Sequence, residues 1–131
     1  MSRRKLRENI FKLLFLSDFN REDEMPEQLA LFFDTIEKLD SKDQQYMEAK
    51  YAQIQAHLAD IDETINECSS GWKTSRMSKV DLAILRLAVY EVRLDDDIPT
   101  SAAINEAVEL AKHFGGEDSP TFINGILSAV A

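Results

Sequence analysis

The run from Val80 to Val92, VDLAILRLAVYEV, constrains the fold of this chain most strongly. Nearly every position in it is apolar, so apolar side chains cover the whole circumference of a helix with this sequence. Such a helix is stable in water only when other elements surround it. The run therefore predicts a central helix, capped by Ser78 and Asp81, inside a helical bundle.

The two segments that follow predict neighbours for this helix. In TSAAINEAVELAKHFG the apolar residues recur at helical spacing, and Gly115 is expected to end that helix in a left-handed conformation. In SPTFINGILSAV, Ser119 is a potential cap and Pro120 suits the first helical position. Three helices in close succession predict an antiparallel bundle.

The first 70 residues predict further helices. The first is expected to reach about Phe19, and the four predicted starts lie at Ser2, Pro26, Ser41 and the pair Asp60 and Glu63. The chain has only 4 Gly and 3 Pro, and it lacks runs of alternating β-branched residues. An all-α fold of one domain, or of two small helical halves sharing a core, is therefore expected for 131 residues.

Charge is distributed unevenly along the chain. The net charge is -9, but residues 1–12 hold five basic residues against one acid, so they carry +4 and the other 119 residues carry -13. An acidic protein of this kind repels a long polyanion, whereas its basic tip attracts a short one. The pattern suggests a protein that binds a short piece of nucleic acid.

One stripe of the first helix has two interpretations. Arg4, Arg7, Phe11 and Phe15 fall together at helical spacing, which would place guanidinium groups beside aromatic rings. That pairing suits single-stranded RNA, because phosphates meet arginine while unstacked bases lie on rings. Alternatively, the rings belong to the core and the basic residues are solvated, which spacing alone favours.

Several other residues favour structural roles. Trp72 is interpreted as a packing anchor in preference to an RNA platform, and Arg76 and Arg86 are expected to pair with carboxylates. A metal site at residues 95–97, DDD, is weighed against a solvated loop, and the loop is favoured because no further ligand spacing supports the metal.

The sequence offers little for catalysis. His57 and His113 have no identifiable partner, Cys68 lacks a neighbouring base, and no glycine-rich phosphate loop follows a strand. We therefore expect no enzymatic activity, no cofactor and no metal. The single cysteine and the absence of a signal peptide or a long apolar stretch indicate a cytoplasmic protein.

Asp118, in the loop GGEDS, is a candidate for reading RNA bases. A carboxylate accepts hydrogen bonds from base amino and imino groups, which arginine cannot do. The alternative is a solvated acid or a second helix cap beside Ser119, and residue preferences alone favour that alternative.

Motifs across the chain are similar to one known family. They are the opening SRRKLRE, Trp72, Arg76, Asp81, ILRLAVYE (84–91), Ile98 with Pro99, INEAVELAKHFG (104–115) and S..F.NGIL (119–127). Together they resemble the NusB family of bacterial transcription antitermination factors. The resemblance is weakest between residues 20 and 70.

The resemblance implies a fold and a function. The implied fold is all-α, with about seven helices in two antiparallel three-helix sub-bundles sharing one core, as a single NusB-like domain over 1–131 with halves 1–70 and 71–131. The implied function is binding of single-stranded boxA RNA in ribosomal RNA operon leaders. The implied partners are ribosomal protein NusE, other Nus factors and RNA polymerase, and the family leaves both a monomer and a homodimer open.

The resemblance also assigns roles to residues. For RNA, the resemblance implies phosphate contacts by Arg3, Arg4, Lys5 and Arg7, stacking by Phe15 and base selection by Asp118. Phe122 lies one turn after Asp118 and either flanks the same site or packs into the core. The acidic charge of the rest of the chain, rather than the resemblance, makes Asp81, Glu91 and neighbouring exposed positions of the central helix candidate contacts for a basic protein partner. The competing hypothesis is a helical protein-interaction adaptor without specific RNA binding.

Overall fold

The computed structural model describes all 131 residues and is entirely helical. The seven α-helices are α1 (Arg3–Ser17), α2 (Met25–Asp34), α3 (Ser41–Ala56), α4 (Leu58–Cys68), α5 (Lys79–Arg93), α6 (Thr100–Phe114) and α7 (Ser119–Val130). Short 3-10 turns cover Glu22–Glu24 and Thr74–Arg76. No strand is present, which confirms the predicted all-α fold with seven helices.

The helices form two compact units, Met1–Ala56 and His57–Ala131. The predicted boundary between halves, after residue 70, falls within the second unit, which includes all of α4. The prediction of a single domain over residues 1–131 stays a prediction.

In the first unit, α1 packs against α2 and α3. The buried side of α1 carries Leu6, Ile10, Leu13 and Leu14, and that of α3 carries Met47, Tyr51 and Ile54. The Ser2 hydroxyl accepts a hydrogen bond from the backbone N–H of Lys5 at 3.1 Å, so the predicted cap of α1 is confirmed. Burial raises the pKa of the Tyr51 hydroxyl above its usual value.

In the second unit, α5 packs against α4, α6 and α7. Every residue from Leu82 to Tyr90 is buried, as expected for a helix that is apolar on all sides. Ser78 caps it by accepting a hydrogen bond from the N–H of Asp81 at 3.1 Å. Arg86 lies among these apolar side chains and donates two hydrogen bonds to Asp62, at 2.9 and 2.8 Å, which confirms its predicted carboxylate partner.

Three predicted helix starts are wrong. Asp40, not Ser41, caps α3, because its carboxylate accepts a hydrogen bond from the N–H of Asp43 at 2.8 Å. Helix α4 begins at Leu58, so Asp60 and Glu63 lie within it and cap nothing. Ser119 is the first residue of α7 rather than its cap.

Gly115 ends α6 as predicted, but not in a left-handed conformation. Its φ is -90° and its ψ is -176°, which any residue can adopt. A Cβ atom added there would lie 2.6 Å from both side-chain atoms of Ser119 and 2.8 Å from the carbonyl oxygen of Ala111. Glycine is therefore needed for space, because the start of α7 lies against the end of α6.

None of the seven helices combines the length and the apolar character that crossing a bilayer requires. No group of three or more histidine, cysteine, aspartate or glutamate side chains is arranged to hold a metal ion.

Candidate nucleic-acid interface

The first candidate surface is the basic start of α1, which consists of Arg3, Arg4, Lys5 and Arg7. The first three side chains are exposed and that of Arg7 is half-buried. The first turn of α1 contains no acidic residue, although the positive end of the helix dipole favours one there. The positive side chains and the positive end of the helix dipole therefore reinforce each other, and both attract an anion such as phosphate.

Glu8 partly neutralises this basic start. Its carboxylate lies 2.7 Å from the ammonium group of Lys5 and 3.3 Å from that of Lys12. The hydrogen bond from Lys5, reinforced by Lys12, lowers the pKa of Glu8 below its usual value. A phosphate that binds Lys5 must therefore compete with Glu8.

The aromatic residues of α1 divide between the core and the surface. Phe11 is only 3% exposed, so the core interpretation is correct for that ring. Phe15 is half-buried, and its ring meets the ring of Phe19 edge to face with centroids 5.0 Å apart. Phe19 is 60% exposed, which makes Phe15 and Phe19 the accessible aromatic pair near the end of α1.

The second candidate surface is a cavity of about 370 Å³ in the second unit, called here the Trp72 cavity. It is lined by Trp72, Arg76, Met77, Ser78, Asp81, Gly116, Glu117, Asp118, Ser119 and Phe122. The rings of Trp72 and Phe122 meet nearly at right angles, with centroids 6.3 Å apart and an interplanar angle of 81°. Trp72 is 55% exposed, so the prediction that it is a buried packing anchor is wrong.

Asp118 lines this cavity, and its side chain is not used as a helix cap. It directly precedes α7, its side chain is exposed, and it makes no capping hydrogen bond. The backbone N–H of Gly116 instead donates to the hydroxyl of Ser119 at 3.0 Å. The helix-cap alternative for Asp118 is therefore wrong, whereas an exposed carboxylate fits both the solvated-acid alternative and the predicted base contact.

Asp118 and Phe122 lie one helical turn apart at the start of α7, because the N–H of Phe122 donates to the carbonyl oxygen of Asp118 at 3.0 Å. Both line the Trp72 cavity. The structure thus brings these two predicted RNA-binding residues together.

The two candidate contacts for a protein partner differ in exposure. Asp81 is half-buried and lines the Trp72 cavity, and its Oδ1 atom is shielded from solvent without a hydrogen-bond partner. Glu91 is only 7% exposed, so the expectation that it lies on the surface is wrong. Its position near the end of the buried side of α5 explains this, because that helix is surrounded over most of its length.

The environments of two cavity residues differ from those that the sequence predicts. Arg76 was expected to pair with a carboxylate, but its exposed guanidinium group makes no ion pair. Trp72 lies in the short segment between α4 and the 3-10 turn, directly after Gly71, whose φ is +94°. The sequence SSGW indicates a turn there, and a tryptophan in a turn is a signal of a surface ring.

A model of the family described as "NusB family" matches residues 4–131. The chain belongs to the NusB family of transcription antitermination proteins. Its similarity to the transcription antitermination protein NusB of Agathobacter rectalis is 50% identity over 131 residues, which is 100% of both chains. Similarity to the protein of the same name from Acetivibrio thermocellus is 47% over 132 residues, covering 99% of this chain and 88% of that protein.

Solved structures of NusB proteins have the same fold. The structure of T. maritima NusB superposes with a TM-score of 0.87 at 35% identity, over 100% of this chain and 91% of that one. A crystal structure of the antitermination factors NusB and NusE in complex with dsRNA superposes with a TM-score of 0.82, over 98% of this chain and 94% of that one. Its identity is 22%, so it adds support for the fold alone.

Proposed function

We propose that this chain is a transcription antitermination factor that binds boxA RNA of ribosomal RNA operon leaders together with ribosomal protein NusE. The observation that carries the RNA part of the proposal is Asp118, an exposed carboxylate without a structural task beside two aromatic rings. Membership of the NusB family and the 50% identical relative named transcription antitermination protein NusB support the antitermination role. The proposed partners are those named for a protein of the same fold, which was crystallised as NusB with NusE and dsRNA.

Two groups of residues share the work on RNA in this proposal. The basic start binds phosphates, because its charges and the end of α1 attract anions without regard to sequence. Phe15 stacks on an unpaired base, with Phe19 beside it. Asp118 accepts hydrogen bonds from base edges, and Phe122 contacts the same nucleotide.

The protein partner is recognised through charge. Ribosomal proteins are ordinarily basic, and residues 13–131 of this chain carry -13. Asp81 remains the candidate contact, whereas the burial of Glu91 removes the reason for proposing it. In this proposal the protein works in the cytoplasm with other Nus factors and RNA polymerase, as a binding protein without catalytic activity or cofactor.

Titration of labelled boxA RNA against a scrambled RNA of the same composition, with and without NusE, tests this proposal. We expect boxA to bind more tightly than the scrambled RNA, and NusE to raise the affinity for boxA. Equal affinity for both RNAs in the presence of NusE would overturn RNA recognition and leave a protein-interaction adaptor. Sedimentation of the protein alone and with RNA separates a monomer from a homodimer.

Deletion of residues 1–7 tests the basic start in the same assay. We expect boxA binding to be lost while thermal unfolding stays cooperative, because this segment contributes only Leu6 to the core. Full affinity in the deletion variant would show that other residues bind the phosphates.

A further inference from the structure

The walls of the Trp72 cavity suit a flat, unsaturated ligand. Because the planes of Trp72 and Phe122 are 81° apart, a planar group that stacks on the face of one ring meets the other ring side-on. Aromatic rings favour both of these arrangements. The volume of about 370 Å³ lies at the small end of the range of about 300–1,000 Å³ for small-molecule sites, which fits one nucleotide unit.

The polar rim of the cavity consists mainly of hydrogen-bond acceptors. Asp118 and Glu117 are exposed carboxylates, and neither has a hydrogen-bond donor in the structure. A carboxylate offers two acceptor oxygens side by side and no donor when ionised. Guanine is the RNA base whose Watson–Crick edge presents two adjacent donors, its N1–H and its 2-amino group, whereas adenine, cytosine and uracil each present one donor beside an acceptor. A single carboxylate therefore favours guanine over the other three bases.

The positive charge of Arg76 makes a nucleotide a better ligand for this cavity than a basic side chain of a protein partner. Its guanidinium group makes no ion pair, although Asp81, Glu117 and Asp118 line the same cavity. An arginine or lysine of a protein partner would find carboxylates and rings here, but it would also meet the like charge of Arg76. A nucleotide instead places a base against the acceptors and a phosphate against the guanidinium group.

We propose that the Trp72 cavity binds one unpaired guanosine nucleotide of the bound RNA. The base stacks in the corner formed by Trp72 and Phe122, Asp118 accepts hydrogen bonds from its N1–H and 2-amino group, and Arg76 binds its phosphate. This inference rests on the proposed function, since it assumes that the protein binds single-stranded RNA, and it adds the base that this site selects.

Trp72 is the single tryptophan of the chain, so its fluorescence reports directly on the cavity. The probes are uridine oligonucleotides that carry one central guanosine, adenosine, cytidine or inosine, together with the unsubstituted oligonucleotide. We expect the guanosine probe to quench Trp72 emission at the lowest concentration. Inosine lacks the 2-amino group, so it should bind at least about five-fold more weakly than guanosine if the two hydrogen bonds form.

Matched variants separate the cavity from general effects on RNA binding. Stacking predicts that Trp72→Ala weakens binding of the guanosine probe about 5- to 150-fold and that Trp72→Phe restores part of the loss. Tyr46→Ala removes a comparably exposed ring from α3 and should leave the affinity unchanged. Arg76→Ala should weaken binding more than Arg21→Ala, which changes the net charge equally but removes an exposed arginine paired with Asp23 and Glu24.

Two results would overturn the inference without touching the proposed function. In the first, boxA RNA binds normally, but the guanosine probe quenches Trp72 no better than the adenosine probe. In the second, Trp72→Ala and Arg76→Ala keep full RNA affinity and instead lose binding of NusE, which would make the cavity a protein site. Failure of every RNA to bind the unsubstituted protein with NusE present would overturn both proposals together.

Discussion

The basic start of α1 and the Trp72 cavity are opposite kinds of surface on one protein. The basic start carries four positive charges and no acid in its first turn. The cavity carries three acids, one arginine and two aromatic rings. Charge attracts any RNA, whereas a ring beside an acceptor discriminates among bases. The comparison suggests that the first region supplies affinity and the second supplies selection.

Both regions also depart from what local stability favours. Basic residues in the first turn oppose the dipole of α1, and α7 begins without a side-chain cap although Asp118 stands at the capping position. An Asp81 oxygen in the cavity is shielded from water without a partner. Such departures are typical of binding sites, because a ligand provides the missing interactions.

The largest effect is expected from the basic start. Replacing Arg3, Arg4, Lys5 and Arg7 by glutamine should remove up to four phosphate contacts. On a single strand, the loss of four contacts makes the negative slope of log affinity against log salt concentration shallower by about 2.8. Between about 50 and 200 mM salt, the original protein should therefore lose about 50-fold more affinity than the variant. Fluorescence anisotropy over a salt series measures both slopes.

A control variant tests whether position matters or only net charge. Replacing four exposed basic residues elsewhere changes the net charge equally, and the set is Arg21, Lys38, Lys42 and Lys112. We expect its salt dependence to stay close to that of the original protein. An equally weakened salt dependence in both variants would mean that RNA responds to any positive charge on the protein. The basic start would then have no special role in binding phosphates.

The next effect concerns the scaffold of the cavity. Gly115→Ala forces a Cβ atom against Ser119 and the carbonyl oxygen of Ala111, and crowding of this kind destabilises a protein by about 1–3 kcal/mol. We expect a lower denaturation midpoint and, because Gly116 and Ser119 line the cavity, weaker selection of boxA. Binding that depends on the basic start alone should change little, because that surface belongs to the other unit.

Gly125→Ala is the matched control for this substitution. Gly125 lies within α7, and nothing is within 4 Å of an added Cβ atom. Alanine should stabilise the helix there by about 0.5–1 kcal/mol. Chemical denaturation compares the two variants, and destabilisation by both would show that the space around Gly115 is not the reason.

The sequence predicted the fold well because helical periodicity is a local property. The central helix α5, its cap Ser78 and the cap Ser2 all followed from spacing and residue type. Helix starts at Ser41, Asp60 and Ser119 were wrong because several adjacent polar residues could serve as caps, and tertiary packing decides among them. Gly115 shows the same limit, since its role depends on a neighbouring helix and not on its own φ.

The candidate site was only partly predictable. Asp118 was found through the family resemblance and Phe122 through its spacing of four residues from Asp118, and both line the Trp72 cavity. The exposure of Trp72, the lack of an ion pair at Arg76 and the burial of Glu91 were not predicted. The burial of Glu91 depends on which side of α5 faces a neighbour, and the sequence of α5 gives no sign of this because nearly all its sides are apolar. Trp72 and Arg76 lie in the short segment before α5, where the turn sequence SSGW is the one local signal of an exposed ring.

A smaller effect is expected at Asp118. Asp118→Asn keeps the size of the side chain but replaces one acceptor oxygen by a donor amino group. The preference for boxA over scrambled RNA should fall about five-fold or more, while affinity for the scrambled RNA stays equal or rises because a negative charge is lost. The same titrations with Asp96→Asn, an exposed acid in the loop before α6, control for charge. If both variants lower the preference alike, selection does not reside in the Trp72 cavity.

The smallest effect is expected at Glu8, and it has the opposite sign. Glu8→Gln removes the carboxylate beside Lys5 and Lys12, so RNA affinity should rise by about two- to five-fold, in line with the small free energies of exposed ion pairs. Glu109→Gln releases Lys112 from a similar pair in α6 and should not raise the affinity. An equal rise in both variants would mean that RNA responds to overall charge rather than to the basic start.

The same glutamate makes a prediction about pH. Because its pKa is lowered in the folded protein, ionised Glu8 contributes stability above its usual pKa near 4.5, and this contribution is lost as the pH falls through the lowered value. The original protein should therefore be slightly more stable than Glu8→Gln at neutral pH, and the difference should vanish in acid. Thermal unfolding across this range measures it. A difference that persists at low pH would show that Glu8 acts through packing, so that releasing Lys5 could not explain a gain in RNA affinity.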